Sequence, residues 1–208
     1  LNKIIKNKEL IIQQAFKLFL QKGYKSVSIN DIMNSTNLSK GAIYHHFESK
    51  EKILIEALDE YYFDALTFEK SLFDNYPFRE QIEKLYWIAI DLYDRTEHIE
   101  EERVIDYPIK NFYNFQLECE NFDEIREKFK NVAYGYRKVV EELVEEAMLK
   151  NEIKAGLNSE SISFQIIGII EGMAIHHSTL KNNVKEIMAK KFKKVFDSYI
   201  DLICIDEK

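Results

Sequence analysis

Cysteine is scarce in this 208-residue chain: Cys119 and Cys204 are the only two. Their spacing fits no metal or redox motif, which excludes a zinc module or a disulfide framework and leaves reduced thiols in a cytoplasmic protein as the expectation. Two prolines and six glycines offer few helix breaks, and a hydrophobic fraction of 46% is too high for a disordered chain. No apolar run is long enough for a membrane. The most apolar one, Ile162 to Ile175, is interrupted by Gln165 and Glu171, falls short of a bilayer core of about 30 Å, and reads as a buried helix; no leader or anchor is expected. Catalytic signatures are missing as well. There is no Ser/His/Asp order, Glu-x-x-His pair, His-Glu-x-x-His run or glycine-rich phosphate loop. The nearest approach to a metal cluster is His176–His177 with Glu171, but adjacent helix residues diverge by about 100°. The expectation is therefore no enzyme, no cofactor and no metal. A helical enzyme using an aromatic cavity, and a purely structural dimer, are the competing classes.

What is present is a charge asymmetry. Net charge is −7, yet residues 1–55 hold nine lysines against four acids, a balance of +5 that leaves −12 for the remainder. A basic end on an acidic body suits a nucleic-acid-reading head joined to a separate partner domain. Apolar residues recur at helical spacing almost throughout, with no internal repeat and no alternation that demands a sheet.

The stretch SINDIMNSTNLSKGAIYHHF, Ser28 to Phe47, organises the rest. Ser28 with Asp31 forms a capping box that opens a short helix. Asn37 supplies the left-handed turn, and Ser39 caps a second helix from Lys40 to His46. Ile43 and Phe47 point inward; Lys40, Gly41, Ala42, Tyr44 and His45 remain outside. This is helix-turn-helix architecture. SKGAIYHHFESKEKIL in turn resembles the recognition helix and following helix of the TetR family of bacterial transcriptional regulators. The likeness covers about the first quarter of the chain and departs from the pattern at Asn37, where Gly is common, and at Met33, where Ala is usual. It implies a homodimer that reads a near-palindromic double-stranded operator and answers to a small-molecule effector. A repressor released by its ligand is expected, with a ligand-dependent activator as the alternative.

The expected fold is all-α with about nine helices: a three-helix head at 1–48, then a larger effector-binding and dimerisation bundle at 49–208. Helix four starts at the Ser49 cap and should run unbroken to Asn75 as a lever between the two. Further helices are read at 77–95, 108–119, from a cap at Asn121 or Asp123 to about 150, at 159–180 and at 184–205. In the head, Ser39 and Lys40 sit at a helix start suited to phosphate. Gly41 and Ala42 allow close approach to base edges, and His45, then Lys40, are the best base readers. Ser28 and Thr36 are expected to add hydroxyl contacts, while the resemblance places Tyr44 and Lys50 on phosphates. In the body an excess of aromatics, together with the resemblance, nominates Trp87, Tyr107, Phe112, Tyr113 and Tyr134 as effector-pocket lining. Glu97, Asp106 and Glu118 nearby would suit an aromatic or cationic ligand. The last two helices look built for a second copy: Ile166, Gly168, Ile169, Gly172 and Met173 on one, Phe192, Val195, Phe196 and Tyr199 on the other.

Overall fold

A computed structural model describes residues 2–97, 106–119 and 121–205, the side chains at 2–5, 65 and 96 excepted. Among the described residues the chain is helical, and its sole β-type pairing is an isolated bridge between Ile153 and Cys204. No helix among the described residues is long and apolar enough to cross a membrane.

The head folds as its local chemistry dictates. Helix α1 (Asn2–Lys22) buries Ile11, Ile12, Ala15, Phe16, Phe19 and Leu20 and ends at Gly23, whose φ of 78° few other residues adopt. The Ser28 hydroxyl accepts from the Asp31 amide at 3.2 Å, and the Asp31 carboxylate accepts from the Ser28 amide at 2.8 Å. Helix α2 (Ile29–Thr36) follows and stops at Asn37, φ 55°. Helix α3 (Lys40–His46) starts where the Ser39 hydroxyl accepts from the Ala42 amide at 3.2 Å. Ser49 caps helix α4 (Lys50–Leu58) in the same way.

Helix four does not continue to Asn75. It widens into a π-helical segment at Asp59–Phe63, closes with the single turn α5 (Asp64–Leu66) and gives way to a 3-10 turn at Lys70–Phe73. The wide turn places both Tyr62 and Phe63 inside, at 4% and 6% exposure. Phe68 and Phe73 then meet at 5.6 Å between ring centroids, although a straight helix would set residues five apart about 140° from each other. Burial of successive aromatics, not a glycine or proline, ends the helix.

The body comprises α6 (Phe78–Glu97), α7 (Pro108–Cys119), α8 (Asp123–Leu149), α9 (Ser159–His176) and α10 (Val184–Ile203). Helix α6 packs most extensively on α10, and α8 on α9, while α7 touches α1, α6 and α9. Neither residue expected to cap α8 does so. Phe122 stands at the N-cap, and Asn121 instead donates to the Glu118 carbonyl at the end of α7. The apolar interior is continuous from Phe16 and Phe19 in the head to Phe192 and Phe196 in α10.

Candidate functional site

Helix α3 turns Ser39, Lys40, Gly41, Tyr44 and His45 to solvent, with Ala42 half-buried, and holds Ile43 in the core. The Lys40 ammonium lies 5.8 Å from the Tyr44 ring centroid, so cation and phenol form one outward surface. A Cβ at Gly41 would meet nothing nearer than the Ser39 hydroxyl at 4.0 Å. No contact inside the protein therefore calls for glycine there, although a helical glycine costs about 1 kcal/mol relative to alanine. Ser28 is exposed, but its hydroxyl is committed to Asp31, whose carboxyl is held down at about 2 by the Ser28 hydroxyl and amide and then by Lys22. Thr36 departs from expectation. It is 6% exposed, and its hydroxyl donates to the Ile32 carbonyl at 2.7 Å because it stands one turn beyond the buried Ile32 on the inner face of α2.

Lys50 also faces inward. Its ammonium donates to the Tyr24 carbonyl at 2.8 Å and the Val27 carbonyl at 2.7 Å, lies 4.1 Å from the Tyr24 ring centroid, and is pushed below the ordinary lysine range by desolvation. At most one of its three N–H donors remains for a phosphate. Lys50→Ala is thus expected to destabilise the protein by about 1.5–3 kcal/mol, the scale of a hydrogen bond to a charged group, measured by urea unfolding. Losing a unit of salt slope in DNA binding with no loss of stability would put the ammonium on DNA and overturn this staple.

Behind the head lies a cavity of about 250 Å3. Tyr62 and Leu66 form one side, Ile88, Ala89, Leu92 and Tyr93 come from α6, and Phe112, Tyr113 and Gln116 from α7. Helix α8 adds Phe129, Val132, Ala133 and Tyr136, and α9 adds Ile170, Glu171 and Ile175. Tyr62 stacks on Phe112 at 4.8 Å and donates to the Gln116 side-chain carbonyl at 3.0 Å; the Tyr93 and Tyr113 hydroxyls share a hydrogen bond of 3.1 Å. Burial raises the hydroxyl pKa of Tyr93, Tyr113 and Tyr136, so the cavity offers them as neutral donors and acceptors.

Of the five residues nominated for this pocket, Phe112 and Tyr113 line it. Trp87 does not, because the cavity face of α6 begins one position later, at Ile88. Tyr107 sits 40% exposed in the turn before α7, and Tyr134 is 61% exposed on α8 beneath Arg137. The three nominated acids are also elsewhere. Glu97 accepts from the Asn183 and Val184 amides at 2.8 and 3.1 Å and so opens α10; Asp106 pairs with Lys181 at 3.3 Å; Glu118 accepts from the Tyr24 amide at 2.6 Å. Sequence reasoning passed over Tyr62, Tyr93, Phe129, Tyr136, Gln116 and Glu171. The apolar stripe of α8, which carries Phe129, Val132 and Tyr136, was the signal available for two of them.

The Glu118 contact joins body to head. Its carboxylate packs so closely under the turn that a Cβ at Gly23 would lie 2.8 Å from it. On the same helix Phe115 meets Phe16 at 5.8 Å and Phe19 at 6.3 Å. Helix α7 therefore touches the cavity through Phe112, Tyr113 and Gln116, α1 through Phe115, and the turn after α1 through Glu118.

The residues read as a dimer face divide. Ile166, Phe192 and Phe196 are buried within the protomer, Phe192 and Phe196 stacking on Tyr86 at 5.6 and 5.4 Å. Ile169, Met173 and Tyr199 are half-buried, and Tyr199 donates to Gln165 at 2.7 Å. Gly168, Gly172 and Val195 are exposed. Around them Phe164, Ile175 and Leu202 are 50%, 57% and 70% exposed, so α9 and α10 share an outward apolar face. A Cβ at Gly168 or Gly172 would touch nothing within 4 Å.

Comparison with known proteins agrees with this geometry. The sequence family described as "Bacterial regulatory proteins, tetR family" matches residues 11–57. The uncharacterized HTH-type transcriptional regulator YuxN of Bacillus subtilis is 48% identical over 64 residues, 30% of this chain and 22% of that protein. IcaR of Staphylococcus epidermidis, a negative transcriptional regulator of the icaADBC biofilm operon, is 31% identical over 42% of this chain and 48% of its own length. The chain thus spans less than half the length of either relative. Among solved structures, a TetR-family regulator from Cytophaga hutchinsonii superposes with a TM-score of 0.68 at 20% identity, over 100% of this chain and 99% of that one. FadR of Bacillus subtilis in complex with stearoyl-CoA gives 0.62 at 20% identity, over 93% and 96%. Such distant structural likeness speaks for the fold, which is that of TetR-family regulators, and the sequence match identifies residues 11–57 as a DNA-binding head of the kind found in the tetR family of bacterial regulatory proteins.

Proposed function

We propose that this regulator is a cytoplasmic homodimeric repressor that holds a near-palindromic operator through two α3 helices and is released when a small molecule enters the cavity. The observation that carries the reading is the outward face of α3. Gly41 sits in a helix with no internal need for glycine, between Lys40 and the exposed pair Tyr44 and His45. That is the arrangement in which backbone approaches base edges while flanking side chains meet phosphates and bases. Ser39, Lys40, Gly41, Ala42, Tyr44 and His45 are assigned to DNA, with the Ser28 hydroxyl at the edge of the contact.

The head is placed at 1–48 and the effector and dimer part at 49–208. The two are not independent, because Phe115 and Glu118 of α7 reach α1 and its turn. An effector that favours one position of α7 would shift the heads relative to each other, and it can do so only through its differential affinity for the two positions. Two heads fit half-sites about 34 Å apart, or a multiple of that. Negative regulation by the relative IcaR supports repression, and the complex of the neighbour FadR with stearoyl-CoA supports a small-molecule effector.

Selection of fragments bound from the host genome, followed by gel shift at low ionic strength, is expected to return a near-palindrome. Binding of every duplex with equal affinity, or of none, would overturn the reading.

A further inference from the structure

We infer that the cavity takes a small lipophilic cation, its charged end against Glu171 and its apolar body among Tyr62, Phe112 and Phe129. The inference rests on the cavity being the effector site and adds the chemical class of the effector.

Glu171 is the sole charged residue among the described residues that line the cavity. It sits at the mouth with Ala133 and Ile175, the other exposed members of the lining. Its carboxylate has no ion pair or hydrogen bond with any described residue, and desolvation by its surroundings raises its pKa. Its charge acts on both the Tyr113 and Tyr136 hydroxyls, which places it beside the aromatic wall. A carboxylate at the mouth with no partner among the described residues loses hydration when a ligand covers it. A cation offsets that loss, and the electron-rich faces of Tyr and Phe attract the same charge.

The other ligand charges fit less well. No Lys, Arg or His stands among the described lining residues, so an anion would meet only Glu171 and be repelled. A neutral lipophile would fill the aromatic part and leave the carboxylate without a partner. The remaining polar groups are largely satisfied within the wall, Tyr93 with Tyr113 and Tyr62 with Gln116. The demand for a charged partner is therefore concentrated at one atom group.

Isothermal titration with three probes of similar size tests this: benzyltrimethylammonium, its neutral carbon isostere neopentylbenzene, and phenylacetate. The ammonium is expected to bind about tenfold or more tighter than the neutral isostere, on the scale of a partly desolvated cation–π contact plus its carboxylate partner, and phenylacetate weakest. Glu171→Gln should abolish the preference for charge while leaving the neutral isostere within about threefold, and Glu171→Asp should retain part of it. Equal or tighter binding of the neutral or anionic probe, a preference that survives Glu171→Gln, or no binding of the ammonium would each overturn the ligand class. The effector reading fails separately, if the ammonium binds through Glu171 yet leaves operator affinity unchanged.

Discussion

Phe192→Ala should cost the protomer about 3–5 kcal/mol, the range for removing a buried aromatic side chain, and should do so whether or not the protein is dimeric. Phe192 is fully buried between α6 and α10, stacked on Tyr86 at 5.6 Å with an interplanar angle of 11° and close to Phe196 at 6.1 Å. The cavity left behind would be lined by rings that cannot close it without breaking their own stack. Because domains of this size are stable by about 5–15 kcal/mol, the loss is a large share of the total. Urea unfolding in a monomeric background isolates it from association. If the midpoint there stays within error of the parent, Phe192 contributes at an interface and the core described for α6 and α10 is wrong.

The monomeric background is itself the second prediction. Gly168→Arg is expected to leave the protomer folded and to lower operator affinity by about 100-fold to 10,000-fold, the gain that a second linked half-site supplies. Nothing lies within 4 Å of a Cβ at this position, and arginine is a better helix former than glycine by most of 1 kcal/mol. The protomer thus gains slightly in stability. Between two copies the outcome reverses. Phe164, Gly168, Gly172 and Ile175 follow one another along one side of α9, and the glycines allow two backbones to approach closely. An arginine there forces them apart and buries a charge against its own symmetry mate. Sedimentation should report monomer at micromolar concentration while circular dichroism is unchanged. A variant that remains dimeric with parental operator affinity would remove α9 from the interface.

The structure adds a contact between head and body to the one the sequence suggested. Helix four was expected to be the lever because it adjoins both parts. In the structure its cavity-facing portion is the π-helical segment bearing Tyr62, and α7 makes a second bridge through Phe115 and Glu118. A shift of α7 would act on the Gly23–Tyr24 turn directly, one helix away from α3.

The head was legible because its contacts are local. Ser28 answers Asp31, Ser39 answers Ala42, and Asn37 turns the chain between them; each signal lies within a few residues of what it controls. The helical periods of α8, α9 and α10 were legible for the same reason, since spacing along a helix determines which side is apolar. It does not determine against what that side packs. Phe192, Phe196 and Ile166 were therefore read as facing a partner, when α6 and α8 of the same protomer cover that side of the bundle. Glu97 and Glu118 were read as ligand groups, when each satisfies a backbone amide 86 or 94 residues away in the chain. The cavity, likewise, exists only where six helical segments meet. Sequence alone determined that this protein carries a helix-turn-helix on a helical body; tertiary packing decided which aromatics enclose space, which acids are consumed as caps, and that Glu171 alone among the described lining carries a charge, because those outcomes depend on contacts between segments far apart in the chain.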